Sequence, residues 1–245
     1  MPNLPRAALL ASWGTAALTG ACSAERAGDA VAAGVDAGHT VIGLDGPDSG
    51  MPLPVALGRL RSSGAAGLRL VLTRPGDPST LAGPREFTAA AVEARSAVLA
   101  VGADVGLLPA GRGTWRAYAV APDPRTPLSV AEAARALTAT IHEVAAELAA
   151  LDVARWDPAA ADLRDRGGAS SVLPPGWPGP ARALLAQAIV ARSVAELALS
   201  GDGAAVSAGQ MAARNYPLRR LDDAAARAIE AACSAQPGVA TQCPG

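Results

Sequence analysis

The sequence predicts an α+β fold: a helical N-terminal hairpin and a small, mostly antiparallel sheet, packed with a C-terminal set of three to four helices. Three observations lead there. Between residues 39 and 120, short apolar runs alternate with polar positions and are cut by Gly/Pro turns, as strands are. From Ser129 onward, apolar residues recur at intervals of three and four, as on one face of a helix. The strand–helix–strand alternation of a doubly wound parallel sheet is not sustained. The expected organisation is an α+β half over residues 1–125 and a helical half over 126–235 that forms one compact unit with it. A disordered tail is expected at 236–245.

Residues 7–18 read as a helix that turns Leu9, Leu10, Trp13 and Ala17 toward a core, and residues 23–33 as a second, capped helix ending at Gly34. A strand follows at 39–44 and a turn-rich loop at 45–52. Residues 54–62 form a short helix with Val55, Leu57 and Leu60 apolar. In 68–73, Leu68, Leu70 and Leu72 alternate with Arg69, Val71 and Thr73, the pattern of a half-buried strand, and Arg74-Pro75-Gly76-Asp77-Pro78 ends it. A helix at 85–95 leads into strands at 98–101, 105–108 and 115–120, whose short connections favour antiparallel pairing.

Ser129 caps a helix whose core stripe is Val130, Ala134, Leu137, Ile141, Val144, Leu148 and Leu151. A Gly/Pro-rich crossing at 157–180 leads to a helix at 181–199, stopped by Gly201-Asp202-Gly203. Ser207 and Gln210 form a capping box, with Val206 and Met211 as its hydrophobic staple. Pro217 lacks an amide proton and crowds the carbonyl four residues back, so the helix that follows is expected to kink or split there.

All 21 basic residues are arginine. Arginine does not lose its proton, so it forms no Schiff base and serves as no amine nucleophile. Pyridoxal-phosphate enzymes, class I aldolases, Ser–Lys hydrolases, protein kinases and Walker A loops are excluded together, and no cofactor is expected. Abundant Ala, Gly, Arg and Pro point to a GC-rich genome as the cause. Aromatic residues make up only 3% of the chain, so this alanine-rich core must pack through Ala, Leu and Val. The net charge of −1, with both signs interspersed, argues against a nucleic-acid partner. No segment reads as apolar and long enough to span a membrane.

Compartment turns on residues 1–22. Arg6, a mildly apolar run and Leu18-Thr19-Gly20-Ala21-Cys22 resemble a lipoprotein signal, with Cys22 as the lipidated residue. Against this stand a single positive charge, Trp13 and Gly14 inside the run, and Thr19 where an aliphatic residue is usual. A cytoplasmic helical hairpin is the preferred reading, and membrane attachment enters only if Cys22 is lipidated. Cys22, Cys233 and Cys243 form no zinc spacing, and a Cys233–Cys243 pair is an alternative only for a secreted chain.

Two windows carry a resemblance. Gly83-Pro84-Arg85-Glu86-Phe87 through Val98-Leu99-Ala100-Val101-Gly102, and Asp202-Gly203-Ala204-Ala205-Val206-Ser207-Ala208-Gly209 through Ala232, are similar to an actinobacterial protein family with no assigned function. The resemblance implies a bacterial cytoplasmic protein and carries over no catalytic residue. Pro217 departs from an unbroken helix in the second window.

Only two histidines exist, His39 and His142. His142 lies beside Glu143, and Glu147 is one turn on, but HExxH would need a second histidine at Ala146. A solvated helix face is preferred, and no metal is expected. His39 begins a strand whose far end delivers Asp45, Asp48 and Ser49 in a glycine-rich loop. Clustered carboxylates there suit acid–base work or a hard cation, while Asp, Gly, Pro and Ser are also what any turn uses. Gly111-Arg112-Gly113 reads as a hairpin turn, and Arg214, Arg219, Arg220 and Arg227 as a salt-bridged exterior interleaved with acids.

The function expected is therefore a non-catalytic protein that binds a protein partner or a small ligand, with a homodimer left open. One alternative is a lysine-independent hydrolase or transferase using His39 with Asp45 or Asp48. The other is a lipid-anchored envelope protein beginning at Cys22.

Overall fold

The computed structural model describes residues 4–33, 38–73, 81, 83–121, 127–150, 172–200 and 208–237. Within them the fold is α+β, with seven helices and one six-stranded mixed sheet. The chain forms two compact units. A sheet unit holds Leu4–Thr126 and takes back Leu173–Pro178 and the stretch from Cys233 onward, while a helical unit holds Pro127–Val172 and Gly179–Ala232.

In the sheet unit, α1 (Arg6–Leu18) and α2 (Ala24–Ala32) form the expected hairpin. Gly20, at φ +80°, makes the turn, and the Ser23 hydroxyl accepts from Arg26 N–H to cap α2. Leu10, Trp13 and Ala17 are buried as anticipated, whereas Leu9 is only half-buried; nearly every other residue of α1 is buried as well. The hairpin of β1 (Thr40–Ile42) and β2 (Gly50–Pro52) follows, so the loop expected at 45–52 ends in a strand. Then come α3 (Leu53–Ser62), β3 (Gly67–Val71), α4 (Arg85–Ala94), β4 (Ala97–Val101), β5 (Val105–Pro109) and β6 (Thr114–Ala119).

The sheet runs β2-β1-β6-β5-β4-β3. Every pair is antiparallel except β1–β6, which is parallel. Register assigns the two faces. Val41 opposes Trp115, Leu107 opposes Val98, and Leu68 and Leu70 oppose Ala100 and Val98; these residues share the face met by α1 and α3. The approach is close, since a Cβ on Gly14 would lie 2.3 Å from Leu68 Cδ1 and 3.3 Å from Leu57 Cδ2. On the other face Phe87 of α4 lies over Gly106, where a Cβ would stand 2.6 Å from its ring. Phe87 closes a cluster there with Val71, Ala91, Ala97, Leu99 and Leu108.

The half-buried pattern expected for β3 is corrected. Leu68, Leu70 and Val71 are all buried, because β3 is covered on both faces although it is the last strand of the sheet. The Thr15 hydroxyl accepts from Leu68 N–H at 2.8 Å and donates to Leu68 C=O at 3.1 Å. The Ser234 hydroxyl accepts from Leu70 N–H at 2.9 Å. The opposite edge, β2, is three residues long, and its outward position Pro52 has no N–H to offer.

The helical unit comprises α5 (Val130–Ala150), α6 (Gly179–Ser200) and α7 (Ala208–Cys233). Ser129 caps α5 as expected and does so reciprocally: its N–H donates to the Glu132 carboxylate, and its hydroxyl accepts from Glu132 N–H. Leu137 and Val144 of the expected stripe are buried, together with Ala133. The capping box at Ser207 lies outside the described residues, as do most of the 157–180 crossing and the Gly201-Asp202-Gly203 stop. Pro217 sits inside α7 without splitting it. By length and composition α6 is a helix able to cross a membrane, contrary to expectation. Its apolar character comes chiefly from Leu184, Leu185, Ile189, Val190, Val194, Leu197 and Leu199, with alanine between them, although α6 also carries Arg182, Arg192 and Glu196. Past α7, Ser234 and Gln236 are placed against β3, so Gln236 is not part of a disordered tail as expected, and residues 238–245 lie outside the described part.

Thr15→Val keeps the shape of the side chain but leaves both Leu68 backbone groups without partners. The substitution is expected to lower unfolding free energy by about 2–4 kcal/mol. Urea unfolding should show a lower midpoint at an unchanged slope.

Candidate functional site

His39 is where sequence reasoning concentrated, and the structure makes it a core residue. It is 4% exposed, and its Nδ1 accepts the indole N–H of Trp115 at 2.7 Å. That bond places the proton of the neutral ring on Nε2, which is buried and has no partner among the described residues. Burial, and then the positive charge of Arg6, hold the imidazole pKa below its ordinary value. Asp45 is elsewhere. It lies past the far end of β1 from His39, where its carboxylate accepts from Arg59 Nε at 2.8 Å on an exposed surface. The strand between spans roughly 10 Å. Asp48 is exposed in the same turn. No contact joins His39 to either aspartate among the described residues.

Several of the other singled-out residues have structural partners, and no ion pair of Arg219 or Arg227 is found among the described residues. Glu143 and Glu147, one turn apart on α5, together hold Arg220 of α7 at 2.5 and 2.6 Å. Arg214 donates to the Ala198 carbonyl at 2.7 Å near the end of α6. Arg192 bridges Glu196 and Asp222. His142 is exposed. Gly111 and Gly113, both at positive φ, make the turn between β5 and β6. Cys22 and Cys233 are free thiols, and burial pushes the Cys233 pKa up to about 12. Among the described residues no three His, Cys, Asp or Glu side chains gather as metal ligands do.

A concave site exists in the sheet unit at a place the sequence did not flag. Where α4 ends over β5 and β6, a cleft of about 350 Å³ opens to solvent. Ala90, Ala94, Leu108 and Pro109 supply apolar walls, while Glu93, Arg116 and Tyr118 bring a carboxylate, a guanidinium and a phenol. The pairing of Leu108 with Arg116 and of Gly106 with Tyr118 sets both β6 side chains on the face that α4 covers. Tyr118 rests on Phe87, with ring centroids 5.6 Å apart. Glu93 stands in the last turn of α4, where a helix disfavours negative charge. The next residue but one, Arg95, ends the helix at φ 55°, a conformation that normally calls for glycine. The signals for this site were weak: Arg116 and Tyr118 sit at alternate positions of a strand, and Glu93 occupies one helix position among many.

Two domain descriptions match the chain. The N-terminal domain of Rv1486c-like protein covers residues 7–132, and the C-terminal domain of Rv1486c-like protein covers residues 131–230. The chain belongs to the Rv1486c-like family. The family is named after a mycobacterial protein and has no assigned function, in keeping with the actinobacterial resemblance. No curated protein and no solved structure matches the chain.

Protonation of His39 must break the Trp115 bond, so the buried neutral ring makes stability pH-dependent. Its folded-state pKa is depressed, so the unfolded chain takes up this proton first as pH falls. The contribution is intact above about pH 6.5 and is lost from there down to the lower folded-state value. Urea midpoints measured from pH 8 to 5 should fall below 6.5 in the parent. They should fall less steeply in His39→Gln, whose amide oxygen still accepts from Trp115.

Proposed function

We propose that this Rv1486c-like protein is a non-catalytic binding protein whose sheet unit seats a small ligand in the cleft between α4, β5 and β6. One observation carries the reading. Glu93 and Arg116, both exposed, line one cleft of mixed polar and apolar walls, and neither side chain is in an ion pair among the described residues. The ligand that fits is a small molecule with an anionic group for the Arg116 guanidinium and an ammonium or hydroxyl donor for Glu93. The separation of His39 from Asp45 and Asp48 supports binding over hydrolysis. A small ligand is favoured over a protein partner or a homodimer, because the cleft, at about 350 Å³, is of small-molecule size.

The cytoplasm is the proposed compartment. Its support is α1, whose residues build the sheet unit's core and would be removed by processing ahead of Cys22. The net charge of −1 supports a reading without nucleic acid.

Native mass spectrometry of the protein purified from a GC-rich bacterial host tests the cleft. The parent should retain a small molecule, and Arg116→Ala or Glu93→Ala should release it, weakening binding by roughly ten- to a hundredfold at an unchanged melting temperature. A bare parent chain, or an adduct that survives both substitutions, would overturn the proposal.

A further inference from the structure

The cleft over β5 and β6 is balanced in charge. Of the residues lining it, only Glu93 and Arg116 are charged at neutral pH, one negative and one positive. Glu93 comes from the helix and Arg116 from the strand beneath it, and neither side chain is in an ion pair among the described residues. A ligand with a single anionic group would suit Arg116 but meet Glu93 as a like charge, and a simple cation would have the converse difficulty. A ligand carrying both charges meets an opposite charge at each.

The apolar part of the wall lies next to both charged groups. Leu108 stands directly across from Arg116 in the β5–β6 register, so the two side chains are neighbours on one face of the sheet. Ala90, one turn before Glu93, and Ala94, one turn after Ala90, line the cleft from the helix and are small enough for a ligand side chain to lie against it. A cleft of about 350 Å³, at about 30 Å³ for a water-sized group, holds on the order of ten non-hydrogen atoms.

We propose that the ligand is a free α-amino acid with an aliphatic side chain, its carboxylate on Arg116, its ammonium on Glu93 and its side chain against Ala90, Ala94 and Leu108. This rests on the binding role proposed for the cleft and adds what fills it. In an α-amino acid the two charges and the side chain leave one carbon in different directions, so one small molecule reaches both charged groups and the apolar wall. Simple amines and carboxylic acids carry one charge of the two. A nucleotide or sugar phosphate brings an excess of negative charge, and the lining has no second cation to meet it.

Isothermal titration calorimetry of the full chain at pH 7 tests this with L-leucine, L-isoleucine and L-valine, and with two analogues of the first. L-Leucinamide lacks the carboxylate, and N-acetyl-L-leucine lacks the ammonium. The aliphatic amino acids are expected to bind, and each analogue should bind about tenfold more weakly than L-leucine. Arg116→Gln should abolish the preference for L-leucine over L-leucinamide, and Glu93→Gln the preference over N-acetyl-L-leucine. Both positions are exposed, so an unchanged melting temperature checks that each variant is folded. Equal binding of L-leucine and either analogue by the parent, or an affinity unchanged in both variants, overturns the proposal. So does the absence of binding by all three amino acids. Native mass spectrometry then separates the two readings: a retained molecule of other chemistry, released by Arg116→Ala, leaves the cleft a binding site, and a bare chain removes both.

Discussion

The sheet unit depends on the contact between the Thr15 hydroxyl and the backbone of Leu68. A terminal strand with both faces buried has an unusual problem: its outward N–H and C=O groups are shut off from water yet have no neighbouring strand to pair with. One threonine oxygen answers both at Leu68, as acceptor and as donor. The answer works only if α1 lies almost in contact with β3, and Gly14 permits that approach by having no side chain. Glycine in a helix interior costs stability by itself, so its place here is set by the neighbour it must admit. The far edge needs no such device, because β2 is short and carries Pro52 where a donor would face outward.

How much of this was legible in the sequence follows from the range of each cause. The helices of residues 6–18, 24–32, 53–62 and 85–94 stand close to where local apolar runs and, for α2, the Ser23 cap put them. The antiparallel run from β4 to β6 was readable from short connections. The burial of Val71 was not, because alternation reports one covered face and α4 supplies the second. Gly14 counted against a hydrophobic segment when read locally, although it is the position on which the packing of α1 turns. Pro217 was expected to kink or split its helix, and α7 continues through it.

The candidate sites divide along the same line. His39 drew attention because histidine is scarce and carboxylates follow it closely in sequence. Its actual partner is Trp115, 76 residues away, brought in by the parallel pairing of β1 with β6. Parallel pairing leaves no short-range mark in a sequence, since the two strands are joined by a long crossover. Closeness along a strand also misleads, because an extended chain carries Asp45 away from His39 as fast as any conformation can. The cleft residues have the converse history. Glu93, Arg116 and Tyr118 look ordinary one at a time, and only the β5–β6 register with α4 laid across it brings them together.

Having arginine as its only basic side chain sharpens the contrast between the two units. In the helical unit the guanidinium serves as a multidentate fastener: Arg220 holds two carboxylates of α5, and Arg192 engages acids on both α6 and α7. A planar fork with five donors suits that work better than a lysine ammonium would. Removing Arg220 would leave Glu143 and Glu147 as like charges one turn apart, so its role is explained by what it neutralises. Arg116 neutralises nothing comparable among the described residues, and Glu93 sits where the helix dipole makes a carboxylate least welcome. Both side chains are exposed and open to water. A ligand bearing charges opposite to both would engage them together, and that complementarity is why the cleft is proposed as a binding site.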